Sequence, residues 1–155
     1  LYLAAWLLGS VLIGGAVFGY ARQNIIEAFV IPSASMEPAV RVGDRVLADK
    51  TAYERLPPHK GDVVIFVNPD DRSQRYIKRI TALPGEVVTL TDGTIQTVPH
   101  GMVYVMGDNR KHSVDSRVFG FLPLRDVVAK VRQVYFSADG DGIRWDRLGL
   151  SLENE

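Results

Sequence analysis

Two serines stand between two prolines in Ile31-Pro32-Ser33-Ala34-Ser35-Met36-Glu37-Pro38-Ala39-Val40. Each proline fixes its own φ and turns the residue before it towards extended backbone, so Ser33 and Ser35 are expected in irregular, pre-set chain. A hydroxyl held there becomes a nucleophile only when a base takes its proton; otherwise the segment is a serine-rich turn bonded to its own backbone. Of the three histidines, His59 lies in a Pro-Pro loop and His100 beside Pro99, both ordinary surface settings. His112 is the histidine in a chemically rich neighbourhood, among Asp108, Asn109, Arg110, Ser113, Asp115 and Arg117. The other candidate base is a lysine. Desolvation disfavours a lysine's charged form and can bring its pKa towards the working pH. Lys78 follows Tyr76 and Ile77 and precedes Ile80, whereas Lys50, Lys60 and Lys111 sit at loops and Lys130 on an amphipathic strand. The competing reading of Lys78 is an outward-facing lysine on an edge strand. Strand alternation sends Arg79 to the opposite side.

Other chemistries find less support. Asp108, His112 and Asp115 have no second histidine within helix or strand reach, so a metal site is not indicated. No Gly-x-Ser-x-Gly elbow and no Ser-x-x-Lys occurs, and the absence of cysteine excludes a thiol nucleophile and a disulfide framework. With 18 basic and 18 acidic residues the formal net charge is zero, which gives no argument for a nucleic-acid partner. No cofactor is called for.

The elements that must position these residues fall into two physical parts. Leu1 to Ala21 carries no charged side chain, and all the charges lie between Arg22 and Glu155. An uncharged helix of about 20 residues is about 30 Å long, the thickness of a bilayer's hydrocarbon core, so residues 1–21 are expected to be a transmembrane anchor. A buried core helix and a secretory signal ending at Gly19-Tyr20-Ala21 are the alternatives. Residues 22–155 are expected to form one mainly β domain of short strands. Arg22 to Ala28 is expected to extend the helix by a turn or two. Strands are expected at Phe29-Val30-Ile31, Arg45 to Ala48, Asp62 to Val67, Gln74 to Leu83, Met102 to Met106, Val127 to Phe136 and Ile143 to Trp145. Glu86 to Leu90 and Thr94 to Val98 flank Asp92-Gly93 as a hairpin. Gly107 to Arg117 reads as a polar loop, and Ser137 to Gly142 as a turn. No internal repeat and no low-complexity tract appears.

In order, Pro32-Ser33-x-Ser35-Met36-x-Pro38, Gly43-Asp44, Gly61-Asp62-Val63-Val64, Tyr76-Ile77-Lys78-Arg79, Leu83-Pro84-Gly85 and Gly107-Asp108-Asn109-Arg110-x-x-Ser113-x-Asp115-Ser116-Arg117 resemble the motifs of type I signal peptidases. The resemblance runs from the apolar run to at least Pro123. It implies a membrane-anchored serine endopeptidase with a Ser/Lys dyad and a signal-peptidase-like β domain behind one N-terminal transmembrane helix. Its substrates would be the signal peptides of exported preproteins, cut after an Ala-x-Ala pattern at the outer face of the plasma or inner membrane. By matching motif, Ser35 is implied as nucleophile and Lys78 as general base, with Ser33 and the Ser35 N–H as the oxyanion hole and Ser113 orienting the lysine. Asp108, Arg110, Asp115 and Arg117 are implied as the polar network holding the loop, and Phe29, Ile31, Pro32, Val40 and Ile77 as the wall of shallow apolar pockets. Met36 is expected behind the nucleophile. The partners implied are signal peptides and the lipid bilayer, with no nucleic acid; no oligomeric state is indicated.

Three departures stand out. Ala39-Val40 replaces the common Thr-Leu, Lys111-His112 replaces Asp-Asn, and the stretch from Gly85 to Met102 is short, implying a minimal cap insertion. Two other readings compete: the autoproteolytic Ser/Lys fold of SOS repressors, and a membrane-tethered β module that only binds. The second leaves Ser35, Lys78 and Ser113 as coincidences.

Overall fold

The structure, a computed structural model, describes the backbone of residues 2–153, and their side chains apart from those of residues 2–5, 7, 8, 18, 21–24 and 55. The chain runs through helix α1 (Tyr2–Asn24), strands β1 (Ile26–Val30) and β2 (Asp44–Asp49), helix α2 (Ala52–Arg55), and strands β3 (Val63–Val67) and β4 (Arg75–Ala82). Next come β5 (Val87–Thr89), β6 (Ile95–Thr97), β7 (Met102–Met106), helix α3 (Ser116–Phe119), β8 (Leu122–Pro123), β9 (Val127–Asp139), β10 (Gly142–Ile143) and β11 (Leu150–Ser151). Strand order in the main sheet is β1-β2-β9-β3-β4-β7-β8, with β10 and β11 also on β9, and every pairing is antiparallel. Among the described residues no helix is long and apolar enough to cross a membrane.

The uninterrupted apolar run Val63-Val64-Ile65-Phe66 becomes a strand covered on both faces. Val63 and Ile65 join one core cluster with Met36, Val40, Val46 and Val131, while Val64 and Phe66 join another with Ile80, Val103, Val105 and Leu122. Alternation along a strand requires that split, and each fully buried large side chain contributes about 1.5–3 kcal/mol. The hairpin around Asp92-Gly93 is present as β5–β6, with Gly93 at φ +82°.

The elements differ from the sequence reading at several points, of which four have a clear physical reason. The helix stops at Asn24, and Ile26 to Ala28 pair with Leu47 to Asp49, because β2 offers a partner edge that local sequence cannot reveal. The polar Gly107 to Arg117 loop ends in α3, whose N-cap is Asp115. Strand β9 continues to Asp139, through the start of the expected turn, since Asp44 and Arg45 of β2 pair with Ser137 and Phe136. Trp145 lies in a single 3₁₀ turn, Trp145–Arg147, rather than in the last strand.

The segment carrying Ser33 and Ser35 is the long connection between β1 and β2, and its two ends are stapled together. Ile31 N–H donates to Asp44 C=O at 2.9 Å and Gly43 N–H to Ile31 C=O at 3.0 Å. Gly43 has φ +86°, and a Cβ there would stand 2.1 Å from the Ala138 carbonyl oxygen, so both conformation and space demand glycine. Beside it the Asp44 carboxylate is fully buried and accepts from Ser137 Oγ at 2.6 Å, from Arg41 N–H at 2.8 Å and from Arg147 Nε at 3.0 Å. Burial acts to raise its pKa, but the bonds from Arg147, Arg41 and Ser137 outweigh it and hold the group below the usual carboxylate value. Arg147 Nη2 also donates to Ala39 C=O at 2.8 Å, tying the serine segment to the far end of the fold. Arg147→Ala takes the guanidinium in direct contact away from a buried carboxylate and leaves it Ser137, the Arg41 N–H and Arg144 at 3.7 Å, so urea unfolding is expected to report a loss of up to about 3–5 kcal/mol.

Candidate active site

Ser35 and Lys78 meet although 43 residues separate them: Lys78 Nζ stands 2.7 Å from Ser35 Oγ. Strand β4 delivers the lysine, with Lys78 opposite Val64 of β3 in the ladder, and its side chain is 4% exposed. The Tyr76 ring centroid lies 5.5 Å from Nζ. Desolvation lowers the amine's pKa from 10.5 to about 8, against the opposing field of Asp115. An amine in that range can hand its proton away at mildly alkaline pH. It then presents a lone pair to the serine hydroxyl at the same short distance.

The serine is fixed from two sides. Val40 N–H donates to Met36 C=O and Glu37 N–H to Ala34 C=O, at 2.9 and 3.2 Å, which closes the segment into a compact turn around a cis Glu37–Pro38 bond. Met36 is fully buried beneath it. From the other side Asn109 N–H donates to Ser35 C=O, and Asn109 Nδ2 to Ala34 C=O, both at 3.1 Å. Ser33 Oγ stands 3.4 Å from Ser35 Oγ, and the Ser33 side chain is exposed to the cleft.

The loop that supplies Asn109 is itself organised by Asp115. The carboxylate is fully buried and accepts from Arg117 Nε and Nη2, each at 2.8 Å, from Ser113 Oγ at 2.8 Å and from Gly107 N–H at 3.0 Å. Burial raises its pKa, but the Arg117, Gly107 and Ser113 bonds prevail and bring it to about 2. A Cβ on Gly107 would stand 2.2 Å from Ser113 Oγ and 2.5 Å from the Ser35 carbonyl oxygen, so the glycine lets these strands of chain touch.

The implied roles map unevenly onto this geometry. Asp115, Arg117 and Ser113 form one network, with the Ser113 hydroxyl directed to Asp115. Asp108 belongs to a separate pair, bridged twice by Arg79 at 2.7 and 2.9 Å, while Arg79 Nη1 also reaches Gly61 C=O. Arg110 stands on the exposed side against Met106 Sδ and is not drawn into either carboxylate. A cleft of ≈ 390 Å³ opens over Ser33, Ser35 and Lys78, and Pro32 and Ile77 line it. Ile31 and Val40 lie in the core at 3% and 0% exposure and offer it no wall. Phe29 is half-buried against that same core, with the Arg75 guanidinium over its ring at 5.7 Å. Gln74, Arg75, Tyr76, His112 and Val114 line the cleft without having been singled out as pocket residues. His112 was weighed as a base, but the group bonded to Ser35 Oγ is Lys78. Among the described residues no cluster of three or more His, Asp and Glu is placed to hold a metal ion.

The comparisons agree with this arrangement of motifs. Residues 3–97 and 94–136 match the family described as signal peptidase, peptidase S26. The chain is 34% identical over 157 residues to the probable signal peptidase I-1 of Synechocystis sp., covering 83% of this chain and 78% of that protein. It is 30% identical over 138 residues to signal peptidase I of Leptolyngbya laminosa, with coverage of 70% and 68%. It is 33% identical over 122 residues to the mitochondrial inner membrane protease subunit 1 of Xenopus tropicalis, with coverage of 76% and 73%. Hydrolysis of peptide bonds is the class of chemistry that the names of these relatives denote. The chain belongs to the signal peptidase family, peptidase S26, and is a serine endopeptidase of the type I signal peptidase kind.

The Lys78 amine is expected to titrate near pH 8 when followed by NMR of isotope-labelled lysine. Because the Asp115 charge acts to raise that value, Asp115→Asn is expected to move the midpoint lower.

Proposed function

We propose that the chain cleaves signal peptides from exported preproteins with Ser35 as nucleophile and Lys78 as general base. The observation that carries this reading is the 2.7 Å contact between Ser35 Oγ and a buried Lys78 amine whose pKa is brought down to about 8. The neutral amine takes the Oγ proton as Oγ attacks the scissile carbonyl carbon, and the carbonyl π electrons move onto oxygen. The Ser33 hydroxyl and the Ser35 N–H donate to that oxyanion. The C–N bond then breaks, the Lys78 ammonium returns its proton to the leaving amine, and an acyl-serine remains. Water, deprotonated by the same amine, attacks the ester and restores Ser35.

Ser113 acts on Lys78 through Asp115, since its hydroxyl bonds that carboxylate. Asp115 and Arg117 hold the loop against the serine turn through Asn109. Asp108 steadies the strand beside it through Arg79, and Arg110 contributes at the exposed edge. Small residues at the first and third positions before the cut, the Ala-x-Ala pattern, would lie in the cleft lined by Pro32 and Ile77, with Phe29 supporting Arg75 of its wall from the core side. Residues 22–155 would be the catalytic domain, with the β5–β6 hairpin as a minimal cap.

Residues 1–21 serve in this reading as a membrane anchor. The described side chains of α1 include Trp6, Val11, Leu12, Ile13, Val17 and Tyr20, each at least 62% exposed, and lipid is the environment that covers such a surface. The catalytic domain would stand at the outer face of a plasma or inner membrane. Alkaline carbonate washing is expected to leave the full chain with membranes and to release a form lacking residues 1–21.

Cleavage of an Ala-x-Ala peptide by detergent-solubilised protein tests the chemistry. Ser35→Ala should abolish turnover, and Lys78→Ala should cost about 10²- to 10⁴-fold, the usual worth of a positioned base. The rate of the parent should climb about tenfold per pH unit and level off above pH 8, following the neutral fraction of Lys78. Full activity in Lys78→Ala would end the dyad reading.

A further inference from the structure

The cleft that opens over Ser35 and Lys78 is also lined by His112, a side chain that the peptide-cleaving chemistry above does not use. Its position is fixed by the same residue that braces the serine turn. Asn109 Nδ2 donates to Ala34 C=O at 3.1 Å, and because a carbonyl can only accept, this sets which way the Asn109 amide points. Its oxygen, Oδ1, is therefore the atom 3.3 Å from His112 Nδ1. An amide oxygen accepts, so Nδ1 carries the proton. In a neutral imidazole the other nitrogen, Nε2, is then bare, on a ring that lines the cleft.

We propose that His112 is a specificity residue, whose Nε2 accepts a hydrogen bond from a neutral donor side chain, a hydroxyl or an amide, of the peptide held across Ser35. This rests on the signal-peptide reading of the site and adds to it a substrate feature beyond small residues flanking the cut. The lining of the cleft selects a neutral donor. A cationic side chain on the peptide would meet the Arg75 guanidinium on the β4 wall of the cleft. The carboxylates nearby are already engaged: Glu27 with Arg75, Asp108 with Arg79 and Asp115 with Arg117.

The experiment compares pairs of signal peptides that differ only by Thr against Val, or Gln against Met, at each position from four residues before the cut to two after it. Both members of a pair share the same Lys78 ionisation, so the ratio of their kcat/KM values at pH 9 isolates the side-chain contact. At one position the parent enzyme is expected to prefer the donor by about twofold to tenfold, the range of a single hydrogen bond. In His112→Phe and His112→Leu that ratio should fall to that of the remaining positions, whatever the absolute rates. A parent enzyme that cuts every peptide with a flat ratio at all positions would overturn the proposal while leaving the peptidase reading intact. A preference that persists unchanged in either variant would overturn it equally. Failure of the parent to cut any of the peptides would remove the peptidase reading and this proposal together.

Discussion

Everything in this site depends on keeping one ammonium group short of water. A lysine at the surface holds its proton far above neutral pH and is useless as a base. Here the amine is withdrawn behind Tyr76 and Ser35 on the inner part of β4, and the missing hydration destabilises the charged form. The withdrawal is only partial in effect, because the Asp115 carboxylate pulls the other way. The balance leaves an amine that is neutral for part of the time in ordinary buffer.

The carboxylates around the site divide the labour of holding this arrangement. Asp44 closes the two ends of the serine segment, Asp115 folds the loop that braces it, and Asp108 fixes Arg79, the neighbour of the base on its strand. Each is paired with an arginine, so burying it does not leave an unpaired charge. The serine turn closes on itself through the bonds from Val40 to Met36 and from Glu37 to Ala34, and bonds from Asn109 on one side and Arg147 on the other set its place in the fold.

Much of this was legible in the sequence, and the limits have a physical origin. The run Val63 to Phe66 announced a strand buried on both faces, because no polar residue interrupts it, and Asp92-Gly93 announced its hairpin through the glycine its turn requires. Lys78 could be singled out because its neighbours on β4 are apolar, which is a local property. Val40 and Ile31 were expected to line pockets, yet both point into the core. Adjacency to a reactive residue does not fix which way a side chain turns in an irregular loop, where neither a 2.0 nor a 3.6 period applies. The role of Arg147 was invisible for a different reason: nothing near it in sequence hints at Asp44. Asn109 and Gly107 stood within a recognised motif, but what they hold became apparent only when their bonds to the serine turn could be seen.

The clamp between Asp44 and Arg147 also imposes an order in time. The two residues are 103 positions apart, so at common rates of synthesis the serine turn emerges about 5–20 s before the guanidinium that ties it down exists. During that interval Ser35 has been made but its segment lacks the bonds from Arg147, and the edge of β2 lacks the long strand that later covers it. A growing chain therefore passes through its early translation as an incomplete hydrolase. The bonds that tie the serine segment to Arg147 must therefore wait for β9 and the turn that follows it.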